Sequence, residues 1–124
     1  MRTVLVADDD PTLRGALKMG LEGAGYRVRL ARNGAEALAL QQESPCDVLV
    51  TDIFMPDCDG FEAIDRIRKL SPRTKIIAMS GDAKRVKGEV LSAAALVGAD
   101  ATLKKPFQLD RLLELLREVA APHE

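Results

Sequence analysis

Carboxylates gather where apolar runs stop. In VLVADDDPT, residues 4–12, four apolar residues lead straight into Asp8, Asp9 and Asp10. A second run ends at Asp52 in VLVTDIFMPDCDG, a third at Ser80 in IIAMSGD, and a fourth at Lys104 and Lys105 in ATLKKPF. Like charges about 4 Å apart repel by roughly 1 kcal/mol in water, and by more in a partly buried cleft. Aspartates stacked at the end of a core strand are therefore either well solvated or shared by a cation. A hard divalent cation such as Mg²⁺ takes about six oxygens, some from carboxylates and some from water. A carboxylate can also attack phosphorus and form an acyl phosphate. The transferring phosphoryl oxygens then need metal, ammonium and hydroxyl donors to neutralise them. Between them the four segments supply each of these groups.

Those groups must be brought together by the elements that carry them. Thr3 to Ala7, Arg27 to Ala31, Val48 to Thr51, Lys75 to Ser80 and Ala101 to Lys104 read as short strands. Leu13, Ala16, Leu17, Gly20, Leu21 and Ala24 follow the i, i+3, i+4 stripe of a helix, and so do Leu109, Leu112, Leu113, Leu116 and Ala120. Asn33 with Glu36 predicts a capping box that opens a second helix. Phe61, Ile64, Ile67 and Leu70 mark a third helix, and Val86, Val90, Ala93, Ala94 and Val97 a fourth. Strand and helix alternate five times, and the strands are apolar on both faces, as in a parallel sheet covered by helices. In such a sheet ligands bind beyond the carboxyl ends of the strands. The first strand end offers Asp8, Asp9 and Asp10, the third Asp52, the fourth Ser80, and the fifth Lys104 and Lys105, all on one edge. Asp10, placed before Pro11, suits a helix cap, and Asp57 and Asp59 read as solvated loop acids before Gly60.

Composition narrows the setting. At 124 residues and 13.4 kDa the chain is expected to form one domain, residues 1–124. A net charge of −1 gives no basic field for nucleic acid or anionic membrane. No apolar run approaches the roughly 18 residues of a membrane span, and the N-terminus lacks a signal-peptide pattern, so a cytoplasmic protein is expected. Cys46 and Cys58 lie at opposite ends of the third strand region, too far apart for a disulfide, and are expected as free thiols. His123 stands alone in a polar tail.

The four quoted segments resemble the signature segments of response-regulator receiver domains, the CheY-like family, and the resemblance spans residues 3 to 120. It implies a flavodoxin-like (βα)5 doubly wound α/β fold whose five-stranded parallel sheet has the order 2-1-3-4-5. It also implies phosphotransfer in a two-component system, from a sensor histidine kinase or a histidine phosphotransfer protein to an aspartate of this chain. The chain would then be a signalling phosphoacceptor and not an enzyme, acting only in its own phosphorylation and dephosphorylation. Carried over residue by residue, Asp52 becomes the phosphoacceptor, and Asp9 a direct ligand of Mg²⁺, with Mn²⁺ as a substitute. Asp8 would hold metal-bound water, and the backbone carbonyl of Phe54 would complete the protein's ligands. Ser80 would bond a phosphoryl oxygen, Lys105 would ion-pair the phosphoryl group, and the Lys105–Pro106 bond would be cis. Lys104 points the other way by strand alternation. Gly81 leaves the site open to a donor. The output surface, for a downstream protein or a homodimer, would comprise the fourth helix, fifth strand and fifth helix.

Two features depart from the family pattern. Thr102 stands where an aromatic residue is usual, and twenty-five positions separate Ser80 from Lys105, with the surplus expected in GDAKRVKGEV. Both fall on the usual signalling surface. One rival is a haloacid-dehalogenase-type phosphohydrolase reading Asp8–Thr12 as D-x-D-x-T, with Asp8 as nucleophile and Asp10 as acid/base. It wants a further acidic pair at a strand end, which the sequence lacks after Lys105, and leaves Asp52 without a task. A flavodoxin would place the cofactor phosphate against three aspartates. No output domain is legible, and the chain reads as a stand-alone receiver or as a receiver cut from a longer regulator. Met1 just before the first strand and Pro122 in the tail favour natural ends.

Overall fold

The computed structural model describes residues 2–53, 60–80 and 98–120. Five parallel strands, β1 (Thr3–Ala7), β2 (Arg27–Ala31), β3 (Val48–Asp52), β4 (Lys75–Ser80) and β5 (Ala101–Lys104), form one sheet of order β2-β1-β3-β4-β5. Helices α1 (Pro11–Gly23), α2 (Gly34–Glu43), α3 (Gly60–Leu70) and a C-terminal helix (Leu109–Ala120) cover it. This is the doubly wound arrangement expected from the alternation of apolar runs. The predicted fourth helix lies outside the described residues, as do Phe54, Asp57, Cys58, Asp59, Gly81 and His123.

Successive strand residues point to opposite faces, so each central strand feeds two cores. Leu5, Ala7, Leu49, Ile76 and Ala78 pack with Ala37 of α2 and Ile64 and Ile67 of α3. Val4, Val6, Val48, Val50, Ile77 and Met79 pack with Leu17 and Leu21 of α1 and Leu112, Leu115 and Leu116 of the C-terminal helix. Edge strand β2 is less apolar than its neighbours. Its Arg29 turns onto α2, donating to the carbonyls of Leu40 and Ser44 and meeting Glu43.

Local chemistry sets the helix starts. The Asp10 carboxylate accepts from the N–H groups of Thr12 and Leu13, with Pro11 in the first turn, so the expected cap is present. At α2 the Asn33 side chain accepts from Glu36 N–H, while Glu36 reaches back to the N–H of Arg32, one residue before the cap. In α1 the predicted stripe is narrower than its spacing suggests. Leu17 and Leu21 are buried, but Ala16 and Ala24 are exposed. The C-terminal helix comes so close that a Cβ at Gly20 would lie 2.6 Å from a Leu109 methyl.

Candidate functional site

The strand register brings the predicted residues together. Ala7 pairs with Thr51 and Asp52 with Met79, so Asp8 stands level with Asp52 beside it, and Ser80 one residue further along on β4. Ser80 in turn pairs with Lys104, and the N–H of Lys105 donates to the Ser80 carbonyl at 2.8 Å. Lys105 therefore leaves the sheet beside the aspartates. The Lys105–Pro106 bond is cis, as the resemblance implied.

Asp8 is fully buried, Asp52 and Ser80 are nearly so, and Asp9 is exposed. One carboxylate oxygen from each of Asp8, Asp9 and Asp52 lies within 4.8 Å of the others. Lys105 Nζ donates to Asp8 Oδ2 at 2.7 Å and to Asp52 Oδ2 at 3.3 Å, bridging residues 97 and 53 positions away in the chain. Burial pulls the Lys105 pKa down, but the hydrogen bond to Asp8 and the charges of Asp52 and Asp8 outweigh it and raise the net value. The ammonium is thus firmly protonated where the negative charge gathers. Asp10 faces its helix, which separates it from its two neighbours in function. Lys104 is exposed, as strand alternation required. A cavity of about 370 Å³, lined by Asp10, Leu13, Lys105, Pro106 and Phe107, opens beside the site.

Asp8 is held at every polar group. Its N–H donates to the Ala31 carbonyl at 3.1 Å, its Oδ1 accepts from Asp10 N–H at 2.9 Å, and its carbonyl accepts from Arg14 Nη1 at 2.7 Å. Arg14 carries no motif in the sequence. Its only signal was position, because a helical side chain in the second turn leans back over the helix start.

A buried carboxylate pair, a bridging ammonium and an exposed third acid make a site of hard oxygen donors. Comparison with known proteins identifies the family. The response regulator receiver domain model matches residues 4–117. The chain belongs to the receiver-domain family of response regulators. A receiver is a signalling phosphoacceptor, and the phosphohydrolase alternative is not favoured. The response regulator receiver protein CpdR of Brucella abortus is 37% identical over 120 residues, covering 96% of this chain and 97% of that protein. The DNA-binding transcriptional regulator NtrC of a Bradyrhizobium strain is 36% identical over 98% of this chain, which spans only 25% of it. The crystallised chemotaxis protein CheY4 of Vibrio cholerae superposes with a TM-score of 0.87 at 35% identity, covering 96% of this receiver and 98% of that chain. No described helix of the receiver is long and apolar enough to cross a membrane.

Proposed function

We propose that this receiver takes a phosphoryl group from a phosphohistidine onto Asp52, using a divalent cation held by Asp8, Asp9 and Asp52. The supporting observation is the bridge of Lys105 across Asp8 and Asp52, which sets one ammonium against the acid best placed to be the nucleophile. An Asp52 carboxylate oxygen attacks phosphorus, the P–N bond breaks, and the imidazole leaves with the bonding electrons. Lys105 then pairs with a phosphoryl oxygen, and the Ser80 hydroxyl donates to another. Phe54 would add its backbone carbonyl to the metal ligands.

The acid cluster fits Mg²⁺. Two ligands at about 2.1 Å from the ion stand at most about 4.2 Å apart. With one oxygen of each within 4.8 Å of the others, Asp9 and Asp52 would hold the ion directly and Asp8 through a water, as the family resemblance implies. The ion supplies neutralisation of the phosphoryl oxygens, and Mn²⁺ could replace it.

The donor is a sensor histidine kinase or a histidine phosphotransfer protein, and residues 1–124 act as one receiver unit in the cytoplasm. Output runs through the segment after Ser80, β5 and the C-terminal helix, toward a downstream protein or a second copy. Thr102 removes the aromatic ring that would swing inward, so the signal passes through the GDAKRVKGEV segment.

Intact-mass measurement after treatment with a small acyl phosphate and Mg²⁺ tests the assignment. One phosphoryl group should appear on the wild type and none on Asp52→Asn. Modification of Asp52→Asn, or label mapped to Asp8, would overturn it.

A further inference from the structure

Arg14 follows three aspartates within six positions of the chain, yet its guanidinium donates to a neutral carbonyl. From the fourth position of α1 it reaches back over the first turn and donates through Nη1 to the Asp8 carbonyl at 2.7 Å, in a partly buried setting. Helical side chains lean toward the N-terminus, so only a long one spans that distance. The Asp8 carbonyl and the Asp9 N–H belong to one planar peptide unit. Fixing the carbonyl therefore fixes the plane from which the exposed Asp9 side chain projects. Asp8 itself has three other anchors, at its N–H and at both carboxylate oxygens. Asp9 depends far more on the peptide that Arg14 holds.

We propose that Arg14 is a positioning residue for the cation site, setting where the Asp9 carboxylate stands by locking the Asp8–Asp9 peptide. The inference rests on the reading of the acidic cluster as a Mg²⁺ site. Two physical effects of removing Arg14 have opposite signs, which makes it decidable. Charge alone predicts tighter Mg²⁺ binding, because the pocket becomes more negative. Loss of positioning predicts weaker binding, because a ligand set out of place must be gathered at the moment of binding.

Arg14→Met keeps an unbranched stem and removes both the donor and the charge. Calorimetric titration with MgCl₂ should show about tenfold weaker binding than the wild type, at the low end of losses for groups that orient metal ligands. Melting in EDTA should remain cooperative, which separates positioning from loss of fold. Unchanged or tighter Mg²⁺ binding by a folded Arg14→Met protein would overturn the proposal. If that variant does not melt cooperatively, Arg14→Gln serves in its place, being too short to span the turn, and the same two results decide. If the wild type itself binds no Mg²⁺, the metal-site reading fails and takes the inference with it.

Discussion

At the carboxyl ends of the strands, one Lys105 ammonium bridges two members of a cluster of three aspartates. At the opposite end of the sheet charge is matched within the chain. There Arg68 of α3 donates to the carbonyls of Pro72, Thr74 and Gly98 and pairs with Asp100, whose carboxylate also accepts from Ile76 N–H. Beside it the buried Gln41 amide donates to Thr74 Oγ1 and accepts from Cys46 N–H, while Thr74 Oγ1 donates to the Cys46 carbonyl. Among the described residues no buried side-chain polar atom is left without a partner. The two ends share one sheet and the two cores on its faces but use polar groups differently. One end sets three carboxylates around a single ammonium, and the other uses its polar groups to fasten the loops.

The largest test of that contrast is Arg68→Ala. It strands the Asp100 carboxylate and three carbonyls, and should cost about 3 kcal/mol. In a domain of this size that is roughly a 10 °C fall in melting temperature. Mg²⁺ affinity, set at the far end, should not change. A loss below about 1 kcal/mol, or weakened Mg²⁺ binding, would mean the ends are not separate.

Cys46 probes the same end chemically. Burial pushes its thiol up from 9.0 to about 11, so the group stays neutral under ordinary conditions. In a Cys58→Ala background it should react with a disulfide reagent at pH 8 about 100-fold slower than a free thiol, as its thiolate fraction requires. The sign for stability follows from a folded pKa above the unfolded one. The contribution is whole below pH 9 and fades as pH rises toward 11. Rapid native-state labelling would show that this end opens as readily as the other.

The smallest effect, of opposite sign, belongs to the acidic end. Asp9→Asn relieves repulsion and should raise the stability of the metal-free protein by about 0.5–1 kcal/mol. Mg²⁺ should then stabilise the wild type by mass action and the variant much less. Equal shifts in both melting curves would remove Asp9 from the ligand set.

Legibility followed the range of the interactions. The strands were readable because an apolar run flanked by polar residues has few other places to go, and only β3 extends one residue beyond expectation, to Asp52. The Asp10 cap was readable because its partners lie two and three residues away. The α1 stripe extends further in spacing than in burial, with Ala16 and Ala24 exposed, since spacing gives a direction but not the width of the neighbour that covers it. Gln41 reads as a surface residue of an amphipathic helix, yet it is fully buried, because Thr74 and Cys46 arrive from β-strand loops to satisfy it.

The sequence by itself determined the order of the elements, the residue types at each strand end and the family, all carried by local pattern and by motifs in combination. Only the tertiary structure decided which of those groups meet. Lys105 finds Asp8 across 97 positions, Arg68 finds Asp100 across 32, and Arg14 reaches the Asp8 carbonyl across 6. Such contacts have no period in the chain. They exist because parallel strands align their ends in register, and because a buried charge must find a partner wherever the packed elements bring one within reach.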